Sequence, residues 1–302
     1  MKKLILLAVI IFFAYLNRIQ AQNDLRFSNY MFNELTFNPA AAASSEYLIG
    51  SLVVRSQWAG FPEAPKSQFL NAHTNLENAG GFGLSVINDK LGFEKSITAH
   101  AVYARKFKFS ETNSLSMGAG LGFMNKSIDF DKLIFEQSND QTAEKAKESQ
   151  LKPDFSFGMT LKIKDFNFSI SSTHLTQSLD KSTFYKTPRH YYVYTYYKIK
   201  VSDKVNIIPS VFVKSSEFIT QFEININVYY NKIFWIGATY RHQDSFSGLI
   251  GFNITKQISL GYAYDFNYGP AKTYSPSSHE IMLYTMFDGF GDKSKKMQPF
   301  FR

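Results

Sequence analysis

Cysteine is absent from the 302 residues of this chain, so no disulfide can form and no cysteine can bind a metal or carry a lipid anchor. Long apolar runs are absent too. After residue 21 the sequence contains no stretch of about twenty apolar residues, the length that a membrane-spanning helix requires. The mature chain is therefore not expected to be held in a membrane by a helix.

Sequence signatures of catalysis are also missing. The chain contains no H-E-x-x-H, no G-x-S-x-G and no P-loop. Its six histidines are dispersed and show no metal-ligand spacing. We therefore predict that the protein is not an enzyme and has no catalytic residue, no metal site and no cofactor.

The first residues have the pattern of a secretory signal peptide. Lys2 and Lys3 form a basic start, Leu4–Leu16 is apolar, and Ala21 supplies the small residue before a cleavage site. We predict cleavage after Ala21, which leaves Gln22 as the first mature residue. The alternative is a single membrane anchor, but the apolar run is shorter than the roughly twenty residues that a span needs.

Strict alternation of apolar and polar residues is the main pattern of the mature chain. It is clearest in Asp154–Ile163, Gln221–Val228 and Gln257–Phe266. Because successive side chains of a strand point to opposite faces, one face of each segment is large and apolar and the other is polar. Segments of about ten residues with this pattern are typical of a transmembrane β-barrel.

A soluble β-sandwich is the alternative, since its strands also alternate. Sandwich strands usually have about five to six residues, and the segments here are longer. The polar face also carries Lys162, Glu223 and Asp265, which suits a wet lumen. Inward carboxylates such as Glu223, Asp265 and Glu280 are expected to pair with lumenal Arg or Lys. The fold class is therefore an all-β, antiparallel up-and-down barrel.

About fourteen strands can be assigned from the alternation and the turn residues. They are 47–56, 66–76, 80–89, 96–109, 113–124, 153–164, 165–174, 189–200, 204–214, 219–230, 232–242, 245–254, 257–267 and 279–288. Short connections follow even-numbered strands, and the long ones (57–65, 126–152, 175–188 and 267–278) follow odd-numbered strands. Outer-membrane barrels have short periplasmic turns and long external loops, so both termini are expected in the periplasm.

The predicted organisation has four parts. A signal peptide (1–21) precedes an N-terminal periplasmic segment or plug (22–46), the outer-membrane barrel (47–288) and a periplasmic C-terminal tail (289–302). The segment 143–149 has the composition of a short helix in an external loop; a charged loop without a helix is the alternative.

The charge and the aromatic residues fit this location. The formal net charge is +8 and falls to +5 when the three basic residues of the leader are removed. The remaining basic residues form no stripe, so nucleic acid is not a predicted partner. Aromatic residues make up 17% of the chain, which suits girdles at the two membrane interfaces. The densest group is Tyr191, Tyr192, Tyr194, Tyr196 and Tyr197.

Several short motifs resemble those of one protein family. They are Phe27–Asn33 (F-S-N-Y-M-F-N), Phe37–Ala40 (F-N-P-A), Arg55–Phe61 (R-S-Q-W-A-G-F), Ala64–Gln68 (A-P-K-S-Q), His73, Gly81–Gly83 (G-F-G) and Ser278–Ile281 (S-H-E-I). In this order they resemble the PorP/SprF family of outer-membrane proteins, which belong to the type IX secretion and gliding motility machinery of Bacteroidetes. Ala41–Ser45 departs from the family's Y-A-G pattern.

The resemblance implies a barrel that binds a secreted protein partner with a C-terminal sorting domain, such as a large adhesin. It further implies a role in export of that partner or its attachment to the cell surface, in gliding motility, and in contacts with periplasmic or lipoprotein components of the secretion machine. Outer-membrane lipid is the remaining expected partner. The resemblance brings no catalytic residues with it.

Partner-binding candidates come from two segments. Trp58, Phe61 and Pro65 in the first long loop are the aromatic and rigid residues that often anchor interfaces, and Arg55 precedes them. Alternatively, this loop folds inward and closes the barrel mouth. The N-terminal segment offers Phe27, Tyr30 and Phe32 as a second contact or as a plug.

Two other functions remain open from sequence. One is an outer-membrane transport barrel for hydrophobic solutes. The other is a lipid-cleaving barrel in which His73 or His100 faces a serine in the lumen.

Overall fold

The computed structural model describes residues 26–76, 78–129, 147–176, 187–269 and 277–288. The predicted signal peptide, the predicted C-terminal tail and part of the predicted loop 126–152 lie outside these ranges. Within them, no helix is both long enough and apolar enough to cross a membrane.

A single antiparallel sheet closes on itself, because the last strand pairs with the first and β10 pairs with β11. The strands are β1 (Leu48–Ser56), β2 (Lys66–Leu76), β3 (Gly80–Leu91), β4 (Glu94–Lys108), β5 (Asn113–Asp129), β6 (Lys147–Ile163), β7 (Phe166–Thr173), β8 (His190–Tyr197), β9 (Ile199–Lys200), β10 (Val205–Ser216), β11 (Thr220–Tyr230), β12 (Phe234–Arg241), β13 (Ser245–Asn253), β14 (Ile258–Asn267) and β15 (Ser277–Phe287). The two-residue β9 continues β8 past Lys198, so the barrel has fourteen strands. Each predicted strand corresponds to one of these, and the predicted fold class is confirmed.

The side-chain alternation places apolar residues outside the barrel. Ile224, Ile226, Leu260 and Tyr262, which alternate with polar residues in sequence, are all exposed on the outer face. Their polar neighbours, such as Asn225, point into the lumen and are buried there. An apolar outer face and a polar interior are the arrangement that lets strands span lipid while the barrel interior keeps its polar groups.

The connections are sorted between the two rims as the sequence predicted. The strand ends that flank the long connections, 57–65, 130–146, 174–189 and 268–276, all lie at one end of the barrel, which we call the long-loop rim. The opposite end, the short-turn rim, has only the brief connections 77–79, 109–112, 164–165, 201–204, 231–233 and 254–257.

The hairpin of β5 and β6 differs from its prediction. Both strands continue well beyond the predicted ends, and Asp129 pairs with Lys147. The predicted helix 143–149 is therefore wrong for residues 147–149, which pair with β5 instead. Residues 143–146 lie outside the described ranges. Strand pairing satisfies the backbone hydrogen-bonding groups of 147–149 as well as a helix would. The local helical propensity therefore does not determine the secondary structure of these residues.

The described part of the chain ahead of β1 lies inside the barrel. Residues 26–45, which we call the inner segment, contain three short 3-10 helices: Tyr30–Phe32, Glu34–Thr36 and Pro39–Ala43. The segment starts at the long-loop rim, where Arg26 pairs with Asp244, and reaches the short-turn rim just before β1. Its first described residues therefore lie at the rim opposite the one expected for the N-terminus.

Two barrel glycines make room for the inner segment. A side chain at Gly118 would bring its Cβ within 2.5 Å of the Pro39 carbonyl carbon, and Gly81 faces the backbone of Ala42 at similarly close range. These positions require glycine because segment backbone, which cannot swing aside as a side chain can, occupies the space.

Gly118→Ala should therefore displace the inner segment and destabilise the protein, with a cost of about 1–3 kcal/mol expected for overpacking. Gly248→Ala is the matched control, because a Cβ there meets nothing within 4 Å. Heat-induced unfolding in detergent, followed by gel mobility, compares the two variants. Equal midpoints would contradict close packing of the segment against β5.

The sequence suggested that the tyrosines of β8 belong to one aromatic girdle, but the structure separates them. Tyr191 and Tyr197 are exposed on the outer face, whereas Tyr192 and Tyr194 are buried and Tyr196 is half-buried, all three on the lumenal side. The period of two splits a run of neighbouring tyrosines between lipid and lumen.

Candidate functional site: the filled lumen and the long-loop rim

A network of buried charges occupies the lumen toward the long-loop rim. Arg55 pairs with Asp265 (2.5 Å) and Glu280 (3.3 Å), and Arg241 pairs with Glu223 (3.0 Å) and Asp265 (3.5 Å). All five side chains are almost completely buried. The expected pairing of the inward carboxylates with lumenal arginines is thus confirmed, and each charge in this dry interior has a partner, as burial requires.

The inner segment is bonded directly to this network. The backbone N–H groups of Ser28 and Asn29 donate to the Glu280 carboxylate at 2.7 and 2.8 Å, and the Ser28 hydroxyl donates to Asp265 at 2.8 Å. Hydrogen bonds to a buried carboxylate are stronger than neutral ones. Glu280 and Asp265 therefore hold the start of the segment in place.

A further ion pair fixes the segment at the rim itself. The Arg26 guanidinium lies 2.7 Å from the Asp244 carboxylate in the turn between β12 and β13. Burial opposes ionisation of Asp244, but the charges of Arg26 and Arg241 outweigh it and hold the pKa of that carboxyl below its usual range.

Aromatic packing completes the contact between the segment and the barrel wall. Phe27 packs on Phe69, with ring centroids 4.9 Å apart, and Tyr30 stacks on Phe212 at 4.7 Å. Phe32 lies against the fully buried Trp235 at 4.9 Å. The inward position of Trp235, unexpected for a membrane barrel, is explained by this contact.

The predicted partner-binding residues therefore fall into two groups. Arg55, Phe27, Tyr30 and Phe32 are buried inside the barrel, so they present no surface to a partner while the inner segment is in place. Their physical role here is to join the segment to the barrel.

The other three candidates lie in the loop 57–65 at the long-loop rim. Phe61 is 43% exposed, Trp58 is half-buried and Pro65 is buried. The backbone N–H of Trp58 donates to the Ser278 hydroxyl. The rings of Trp58 and Phe61 meet edge-to-face, with their centroids 6.5 Å apart. The loop is thus tied to the start of β15 and offers Phe61 as its most accessible aromatic side chain.

The histidines considered for catalysis lie apart from one another. His73 Nε2 is 3.3 Å from the Ser44 hydroxyl, with no acid bonded to Nδ1 among the described residues. His100 bonds Asp154 instead, and Asp154 also bonds His174 at 2.8 Å. In the described parts of the chain, no group of three or more His, Asp or Glu residues has the geometry of a metal site.

The inner segment leaves two separate cavities in the lumen. The long-loop cavity, of about 330 Å³, is lined by residues such as Trp58, Pro65 and His190. The short-turn cavity, of about 730 Å³, is lined by residues such as Glu34 and Tyr194. No lining residue is shared, and the inner segment lies between the two cavities.

Sequence reasoning missed Arg241 and Asp244 as members of the site. The alternation along β12 places Arg241 on the same inward face as the other polar residues of that strand. This alternation is the sequence signal that could have identified Arg241 as a lumenal residue. Nothing local marks Asp244, because its partner Arg26 is 218 residues away in sequence.

Comparison with known proteins gives one family match. Residues 19–284 match the family model described as type IX secretion system membrane protein PorP/SprF. No curated protein matches the chain.

Solved structures similar to the chain are outer-membrane channels. The CymD monoaromatic hydrocarbon channel has a TM-score of 0.55 at 10% identity, covering 88% of this chain and 95% of that channel. The Ralstonia pickettii toluene transporter TbuX has a TM-score of 0.49 at 9% identity, covering 83% of this chain and 94% of that one. At such identities the likeness concerns the fold alone, and CymD supports an outer-membrane barrel.

Proposed function

This chain belongs to the PorP/SprF family of type IX secretion system membrane proteins, and on that premise we propose that its long-loop rim binds a secreted protein partner. The barrel lies in the outer membrane. In such barrels the long loops face the outside of the cell. The partner would be a protein with a C-terminal sorting domain, such as a large adhesin, whose export or surface attachment the barrel supports.

The filled lumen is the observation that carries this proposal. The inner segment lies between the two cavities and is held by the Arg26–Asp244 ion pair, by hydrogen bonds to buried carboxylates and by aromatic contacts. A barrel filled in this way is suited to presenting a stable surface rather than to conducting a solute. A role in gliding motility, and contacts with periplasmic or lipoprotein components at the short-turn rim, extend the same proposal.

Transport of hydrophobic solutes is the second candidate, favoured by the fold likeness to the CymD monoaromatic hydrocarbon channel. It requires the inner segment to move, because the two cavities are separate in the described structure. Unchanged uptake of aromatic and fatty-acid solutes in a deletion strain would argue against it.

The loop 57–65 provides the test of partner binding. The double variant Trp58→Ala with Phe61→Ala should release the secreted partner from the cell surface into the medium. Large aromatic anchors typically contribute about 2 kcal/mol or more each to an interface. Loop side chains do not carry the strand ladder, so the barrel should still assemble, which its abundance in isolated outer membranes measures.

Phe109→Ala is the matched control. Phe109 is also an exposed aromatic residue, but it lies at the short-turn rim. It should leave the partner at the surface. Full retention of the partner by the double variant, with normal barrel abundance, would show that loop 57–65 only covers the barrel mouth.

A further inference from the structure

The short-turn cavity has a wall of tyrosines that faces one acidic residue of the inner segment. Tyr194 and Tyr196 from β8, Tyr229 from β11 and Tyr284 from β15 all line this cavity together with Glu34. The charge of Glu34 acts on the hydroxyls of Tyr194, Tyr196 and Tyr284. Three strands and the inner segment therefore place four tyrosines and one carboxylate on the wall of the same cavity.

The Glu34 carboxylate has no ion-pair or hydrogen-bond partner among the described residues. This sets it apart from Glu223, Asp265 and Glu280, each of which is paired with an arginine. A partly buried carboxylate without a cation is unfavourable, whereas a cation placed there would be attracted by the carboxylate and by the tyrosine rings. Aromatic rings around an acidic group are a recurring way to bind ammonium groups.

The facing wall of the same cavity is basic. Lys106 and Lys108 from β4 and Lys162 from β6 line it near the short-turn rim. No ion pair joins any of the three to an acidic side chain in the described part of the chain. Strands β11 and β15, which carry Tyr229 and Tyr284, lie across the barrel from β4 to β6, whereas β8 with its tyrosines is two strands from β6. The lysines therefore face Tyr229 and Tyr284 across one space.

The other charged groups lining the cavity are Lys198, Glu46 and Glu111. Glu111 is exposed in the turn after β4. The cavity thus has one acidic group at the inner segment, and toward the rim it has four lysines against two glutamates, which is a net positive charge. Its volume of about 730 Å³ lies within the range of about 300–1,000 Å³ that small-molecule sites occupy.

We propose that the short-turn cavity binds a small zwitterionic organic molecule, with its cationic group against Glu34 and the tyrosine rings and its anionic group toward Lys106, Lys108 and Lys162. The cavity opens among inward-facing side chains at the rim rather than on the lipid-facing surface. The ligand is therefore a free solute and not the headgroup of a membrane lipid. This site is independent of partner binding at the opposite rim.

Calorimetric titration of the purified full-length protein tests the site, with phosphocholine and choline as probes. A non-ionic maltoside detergent is needed, because zwitterionic detergents carry the proposed ligand chemistry. Phosphocholine should bind, and choline should bind about tenfold more weakly since it lacks the group for the lysines. Glu34→Gln should weaken binding of both probes about tenfold.

Two further variants separate the parts of the site. Lys108→Gln with Lys162→Gln should weaken phosphocholine binding to the level of choline and leave choline binding undiminished. Asp203→Asn is the control for loss of a carboxylate, because Asp203 is exposed at the same rim and does not line the cavity; it should change neither affinity.

Two results would overturn the proposal: no binding of phosphocholine to the wild-type protein, or equal affinities for wild type and Glu34→Gln in barrels with unchanged gel mobility. A short-chain phosphatidylcholine below its micellar concentration distinguishes the source of the ligand. If it bound more tightly than phosphocholine, the assignment to a free solute would be wrong and the site would belong to a lipid headgroup.

Discussion

Glu280→Ala should destabilise the protein by about 3–5 kcal/mol, the cost typical of breaking a buried ion pair from one side. Among the described residues, the change would leave Arg55 with Asp265 as its only acidic partner. It would also remove the acceptor for the backbone N–H groups of Ser28 and Asn29. Unfolding in detergent, followed by gel mobility against urea concentration, measures the loss. Limited proteolysis should also cut the inner segment earlier than in the wild type.

Asp203→Ala is the control for this prediction. Asp203 also pairs with a basic residue, Lys200 at 2.7 Å, but both side chains are largely exposed. Water screens such a pair, so its loss should leave stability unchanged within the error of the measurement. If Glu280→Ala were as stable as Asp203→Ala, the network would not hold the inner segment.

The strands could be predicted because the signal for them is local. Ile224, Ile226, Leu260 and Tyr262 alternate with polar residues, and a membrane makes that alternation strict, since lipid excludes unpaired charges from the outer face. The same parity placed Glu223, Asp265 and Glu280 inside and led to the expectation that arginines pair with them. Whether a side chain points to the lipid or to the lumen depends on the alternation within its own strand, so it can be predicted from the sequence.

The contents of the lumen could not be predicted in the same way. Parity shows that Arg55 points inward, but not that it meets Glu280, which is 225 residues away. The apolar residues Phe27, Tyr30 and Phe32 were consistent with a plug and with a surface contact, because both bury aromatic rings. Only the three-dimensional arrangement separates these alternatives, through Phe69, Phe212 and Trp235 as the packing partners of the three rings.

Connection lengths were the least predictable part. Strands β5 and β6 continue past the residues where the alternation becomes weak, and their ends pair as far as Asp129 and Lys147. Strand pairing beyond the membrane needs no apolar face, because a strand there does not have to face lipid. The polar sequence of this hairpin therefore led to the prediction of a loop over 126–152 with a helix at 143–149.

The filled lumen also changes what a lumenal substitution should do. In a water-filled lumen an arginine at Asn225 would cost little, because water solvates its charge. In the structure Asn225 is 1% exposed and donates to the Thr239 hydroxyl at 2.8 Å. An arginine there would have to displace packed side chains, so Asn225→Arg is not a neutral control.

Ile226→Arg should destabilise the barrel by about 2–4 kcal/mol, the cost of an arginine on the lipid face near the bilayer midplane. Ile226 is 46% exposed on the outer face of β11, between β10 and β12. Its register partners Pro209 and Ala238 cannot bond a guanidinium through their side chains. The charge must therefore reach the headgroups by extending along the barrel or by thinning the bilayer.

Phe109→Arg is the depth control, because Phe109 is also exposed but lies beyond the end of β4 at the short-turn rim. Near the interface the cost should fall to about 0–1 kcal/mol. Folding of both variants into lipid vesicles from urea, with reversible titration, gives the two free energies. Similar costs at the two positions would mean that Ile226 does not lie at membrane depth. The assignment of the β11 outer face to the bilayer core would then fail.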